Sequence, residues 1–132
     1  MKVIQADQII MGLIIHAGDA KSHIYMALEH DKKGELVISE GEIQLAETAL
    51  NEAHNIQSSW LAQEARGEGT GLSTLFVHAQ DHLMITITEI NLIKEVIETR
   101  QELNELKKLM NISGKLQVQV SHPDKPVSAC CN

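Results

Sequence analysis

The chain has 132 residues, 43% of them hydrophobic, which suits one folded domain and is too apolar for a disordered tail. Only Tyr25, Trp60 and Phe76 are aromatic, so packing falls to Leu, Ile, Val, Ala and Met, a core that suits stacked helices. The net charge is −7, from 18 acidic and 11 basic residues, and no stretch gathers Lys and Arg into a stripe, which argues against nucleic acid as a partner.

The opening, MKVIQADQIIMGLIIHAGDA, holds an apolar run from Ile9 to Ile15 that Asp7, His16 and Asp19 interrupt. That run falls well short of the roughly 18–20 residues a membrane span needs. The expectation is a cytoplasmic protein with neither signal peptide nor anchor. The only prolines are Pro123 and Pro126, so glycine supplies the punctuation up to His122.

Segment one is expected from about Asp7 to Asp31, closed by the DKKG turn at Asp31 to Gly34, whose lysines and glycine favour a helix C-terminus. Within it His16, Asp19 and His23 recur three and four residues apart, a spacing able to ligate a metal. The column His16, His23, His30 is better read as a partly exposed helix edge. Gly12 and Gly18 each cost about 1 kcal/mol relative to alanine inside a helix, and close approach of another backbone is the expected reason.

Segment two is expected from about Glu35 to Ala65, rich in Ala, Glu, Gln and Leu, and stopped by GEGTG at Gly67 to Gly71. Trp60 is assigned to packing and His54 to a structural role. Segment three runs from about Leu72 to Met110, with Asn111 and Gly114 as its stop. Its residues Ile85, Leu92, Val96, Leu103, Leu106 and Met110 form one apolar row, read as the seam of a helix packed lengthwise on others. A second row, Phe76, Leu83, Ile87, Ile90 and Ile97, lies on a different side. At about 1.5 Å per residue such a helix spans roughly 60 Å, against a radius of gyration of about 14 Å for a compact chain of this length. A long all-α bundle whose faces are shared between chains resolves the mismatch.

The helical domain is therefore expected over residues 1–112 and a mobile tail over 113–132. In the tail LQVQV alternates like a short strand, and SHPDKPVSACCN carries both prolines. Cys130 and Cys131 are adjacent, where a disulfide is strained and cannot staple a fold, so they fit a reducing compartment.

The stretch FVHAQDHLM, Phe76 to Met84, places His78, Asp81 and His82 at i, i+3 and i+4, which converge on one side of a helix. Three chemistries compete for them. One is a polar helix surface. Another is a zinc site, since HAQDH is similar to the inverted His-x-x-Glu-His pattern, although its carboxylate is shorter and a third ligand is lacking. The third is a histidine that carries a phosphoryl group while neighbouring donors hold the phosphate oxygens.

The surrounding words separate these. HAGDAKS (His16 to Ser22), NEAHNIQSSWLAQEARGE (Asn51 to Glu68) and VHAQDHLM (Val77 to Met84), in this order and spacing, closely resemble the enzyme IIA component of the lactose and cellobiose branch of the bacterial sugar phosphotransferase system. The resemblance covers about Ile10 to Met110. It implies an antiparallel three-helix bundle assembled as a homotrimer. Such a component accepts a phosphoryl group from HPr and passes it to the IIB component, which phosphorylates a disaccharide as the membrane component IIC imports it. Contact with the membrane would then be indirect. The resemblance makes His78 the phosphorylated residue, through Nε2, and makes Asp81 the ligand of a metal shared by three chains on the trimer axis. Gln80 and His82 match the remaining polar positions and would frame the phosphoryl site. The disaccharide stays open among cellobiose, chitobiose and lactose.

Elementary chemistry is compatible with those roles. An ordinary histidine, with a pKa of about 6.5, is mostly neutral in cytoplasm and offers a free ring nitrogen, so His78 needs orientation more than activation. Phosphoryl transfer depends on in-line positioning and on donors for the three equatorial oxygens. No Lys or Arg lies between Arg66 and Lys94, which suits a carrier that must release its phosphate. Three Asp81 carboxylates on an axis require a cation or protons, and oxygen-only ligands favour Mg²⁺ over zinc. The alternative from a different class is a non-catalytic helical regulator or scaffold that keeps the bundle; a metal-dependent hydrolase is more distant.

Overall fold

The computed structural model of the chain describes residues 2–69, 71 and 73–112. It contains three α-helices, α1 (Lys2–Lys32), α2 (Leu36–Ala65) and α3 (Thr74–Ile112), and no strand among the described residues. α1 starts ahead of the expected Asp7, and the other helices lie within a few residues of their expected limits. The LQVQV strand, the mobile tail and the adjacent cysteines lie outside the described residues.

The C-termini of α1 and α2 are built the same way. After α1 the Glu35 N–H donates to the His30 carbonyl at 2.9 Å and Gly34 to Asp31 at 2.9 Å, with Gly34 at φ 79°. After α2 the Glu68 N–H donates to Gln63 at 3.0 Å and Gly67 to Glu64 at 2.9 Å, with Gly67 at φ 77°. Each is a Schellman ending, in which a left-handed residue folds two amides back onto the last free carbonyls, and glycine takes that conformation without Cβ strain. α3 opens differently: Ser73 Oγ accepts the Phe76 N–H at 3.1 Å, a side-chain N-cap.

The chain forms two compact units, Met1–Arg100 and Gln101–Asn132. The first is an antiparallel three-helix bundle. α1 and α2 meet through Ser39, whose hydroxyl donates to the Ala27 carbonyl at 2.8 Å, and through His23 and Glu42, 2.5 Å apart. α2 meets α3 where Trp60 packs on Phe76, with ring centroids 5.1 Å apart, and where Glu47 pairs with Lys94. α3 returns parallel to α1, with Tyr25 donating to Glu89 at 3.1 Å and Arg100 to Asp31 at 3.0 Å. In the second unit the described residues are the end of α3, where Glu102 to Asn111 are all exposed.

Two apolar clusters fill the first unit. One gathers Ile10, Leu13, Ala17, Ala53, Trp60, Phe76, Ala79 and Leu83; the other gathers Ala20, Ile24, Ala27, Ala46, Ala49, Ile90, Ile93 and Ile97. α1 and α2 contribute many alanines, whose small side chains let the two backbones lie close, while α3 fills the space above them with Phe, Leu and Ile. Fully burying a residue such as Leu83 or Ile90 contributes about 1.5–3 kcal/mol.

This packing uses the second apolar row of α3 and corrects the reading of the first. Phe76, Leu83, Ile90 and Ile97 are buried, whereas Ile85, Leu92 and Val96 are 57%, 61% and 46% exposed. The row of Ile85, Leu92 and Val96 faces outward within this chain. The glycine expectation also changes. A Cβ on Gly12 would meet only the tip of the Ile56 side chain, at 3.0 Å, and one on Gly18 would meet nothing within 4 Å. Among the described residues no backbone accounts for either.

Candidate functional site

The Ser73 cap and the Trp60–Phe76 contact fix the start of α3, and the candidate residues follow within its next turns. His78 is exposed and His82 half-buried. Their rings stand edge to face, with centroids 5.1 Å apart and planes at 86°, so each limits the rotation of the other. Below them Thr86, buried, donates its hydroxyl to the His82 carbonyl at 2.7 Å. Neither imidazole makes a hydrogen bond to another described residue. The outer ring, His78, is thus oriented by packing against His82 while it stays exposed.

Asp81 is exposed and makes no hydrogen bond or ion pair among the described residues. It precedes Ile85 by one turn and sits about 20° from Leu92 around the helix, so it lies in the outward apolar row itself. A lone carboxylate in an apolar stripe is an oxygen ligand without a local cation, a donor type that fits a hard divalent ion.

Gln80 does not join this group. Two residues from His78, it points about 200° around the helix, is half-buried, and faces α2, where its Oε1 accepts from Gln57 Nε2. Gln57 is 8% exposed, and its Nε2 also lies 4.0 Å from the Met84 sulfur. The structure therefore brings His78 and His82 together, sets Asp81 beside them and places Gln80 on another side. Sequence reasoning passed over Gln57. Its spacing from Ala46, Ala49, Ala53 and Trp60 puts a polar residue on the buried stripe of α2, and that was the available clue.

Elsewhere, His16, His23 and His30 are half-buried, as an edge position requires, while Asp19 is exposed. His23 and His30 are engaged with Glu42 and Glu35, each at 2.5 Å. His54 is exposed and belongs to neither apolar cluster. Trp60 packs as expected, at 3% exposure. Among the described residues no helix is long and apolar enough to cross a membrane.

Residues 8–101 match the family model described as PTS system, lactose/cellobiose-specific IIA subunit. The chain belongs to this family. It is similar to the cellobiose-specific EIIA component of Lactococcus lactis, 39% identical over 98 residues that make up 74% of this chain and 84% of the relative. Among solved structures, the cellobiose-specific enzyme IIA of Bacillus anthracis superposes with a TM-score of 0.73 at 40% identity, over 76% of this chain and 92% of that one. The IIA(chitobiose) of Escherichia coli, solved in complex with HPr, gives 0.66 at 36% identity, over 74% and 95%. As a IIA subunit the protein is a phosphotransferase component, a phosphoryl carrier in sugar uptake. The matched segment ends one residue beyond the first compact unit, at Arg100, and contains the whole of the candidate site.

Proposed function

We propose that His78 is the phosphoryl-carrying residue of this IIA subunit, accepting the group from HPr and passing it to the IIB component during uptake of a disaccharide of the cellobiose, chitobiose or lactose type. The observation that carries this reading is the exposed His78 ring, steadied edge to face by His82 at 5.1 Å. The Nε2 lone pair attacks phosphorus in line. The bond from phosphorus to the donor breaks as the bond to Nε2 forms, its electrons leave with the donor, and the second transfer reverses these roles. HPr as donor is supported by the similar E. coli protein that was solved bound to it.

The reading extends to a homotrimer in the cytoplasm, in which Ile85, Leu92 and Val96 of three chains would cover one another about a three-fold axis; the outward apolar row on α3 supports a contact between chains there. Asp81 lies in that row and would hold Mg²⁺ on the axis, one ion per trimer. When bound, the ion supplies the positive charge that allows three carboxylates to meet. Around the helix His78 lies about 60° to one side of Asp81 and Gln80 about 100° to the other. A cyclic arrangement sets one flank of each helix against the opposite flank of the next, so His78 of one chain would face Gln80 of its neighbour. His82 would frame the phosphoryl oxygens from the same chain.

The test is intact-mass spectrometry after incubation with phosphoenolpyruvate, enzyme I and HPr. One acid-labile phosphoryl group is expected on the wild type and none on His78→Ala. A phosphorylated His78→Ala protein would move the chemistry to another residue, and an unmodified wild type beside active partners would leave a helical scaffold.

A further inference from the structure

Gln57 shares the buried stripe of α2 with Ser39, three alanines and Trp60, and at 8% exposure its longer polar side chain is nearly removed from water. Burying a carboxamide is unfavourable unless its groups are paired, and leucine or methionine would fill the same space without that cost. Its partners are specific. The Nε2 donates to Gln80 Oε1 and faces the Met84 sulfur, 4.0 Å away. A thioether sulfur only accepts, so the end of Gln57 turned toward α3 is its NH₂. The group it meets on Gln80 is then the carbonyl oxygen. With that oxygen engaged by α2, the NH₂ of Gln80 is the end left to turn away from α2.

We infer that Gln57 is a positioning residue for phosphoryl transfer: its hydrogen bond to Gln80 Oε1 fixes the Gln80 carboxamide so that it presents donors, not an acceptor, to the phosphoryl oxygens on the neighbouring chain's His78. This rests on the trimer reading above, in which Gln80 faces that histidine. An unrestrained glutamine rotates its amide through both orientations, and one of them points a carbonyl at anionic phosphate. Holding the donor orientation in advance removes that reorganisation from the transfer step. Gln57 touches neither the phosphoryl group nor His78 and acts through Gln80 alone.

The experiment measures single-turnover transfer from phospho-HPr to the full chain for Gln57→Met, Gln57→Glu, Gln80→Leu and the double variant Gln57→Met/Gln80→Leu, with circular dichroism and light scattering as controls for helix content and assembly. Gln57→Met keeps length and packing while removing the donor, and about tenfold slower transfer with unchanged half-saturation for phospho-HPr is expected. Gln57→Glu keeps the shape but only accepts, which draws the Gln80 NH₂ inward, so it should be slower still. Adding Gln57→Met to Gln80→Leu should cost nothing further. Wild-type rates in both Gln57 variants, additive losses in the double variant, or a change confined to half-saturation would overturn the inference. Slow Gln80→Leu beside normal Gln57→Met sinks the positioning role alone. Normal Gln80→Leu sinks that role together with the placement of Gln80, and leaves His78 to be judged by its own variant.

Discussion

At the scale of single residues, the chemistry of α3 follows from angles around a helix. His78 and His82 lie one turn apart and their rings touch; Asp81 lies between them in sequence and falls in the outward row; Gln80, also between them, faces another helix. In the proposed trimer three Asp81 carboxylates without a cation would repel one another, so exchanging Asp81 for an apolar residue would relieve that repulsion and extend the row of Ile85 and Leu92. Asp81→Leu is therefore expected to keep or tighten the trimer, and sedimentation of the variant as a monomer would argue against a carboxylate on the axis. Much of this was readable in advance, because spacing of three and four residues places groups on one side whatever the fold. Gln57 was not, since its meaning depends on which helix covers that stripe of α2.

At the scale of elements, the ends of the first two helices are fixed by backbone conformation. α1 and α2 both end on a left-handed glycine, and each ending ties two carbonyls before the chain reverses. Gly34→Ala and Gly67→Ala put a Cβ into that conformation, and each should lower stability by about 1 kcal/mol in urea unfolding. Open space around both positions leaves backbone strain as the only term. The helices and their stops were legible from DKKG and GEGTG. The choice between the two rows of α3 was not: both are apolar and continuous, and only the small alanines of α1 and α2 select the row holding Phe76 and Leu83 as the inner one.

At the scale of the whole molecule, that selection leaves large apolar side chains of α3 facing water in a lone chain. In the proposed trimer these side chains would be covered between chains, which would link folding to association, so the melting temperature of the wild type is expected to rise with protein concentration. Leu92→Glu, in the middle of the row, should yield a helical monomer with a concentration-independent transition; an intact trimer in that variant would place the interface elsewhere. The length of α3 raises the expectation of a face shared between chains, and the outward row is the face available for it. Trp60 carries a practical consequence. The chain has a single tryptophan, 3% exposed, stacked on Phe76 and one turn along α2 from Gln57. Its emission is thus a built-in optical gauge of the bundle end that bears His78, shifting to the red when α2 and α3 part there and staying unchanged when the Asp31–Arg100 end loosens alone.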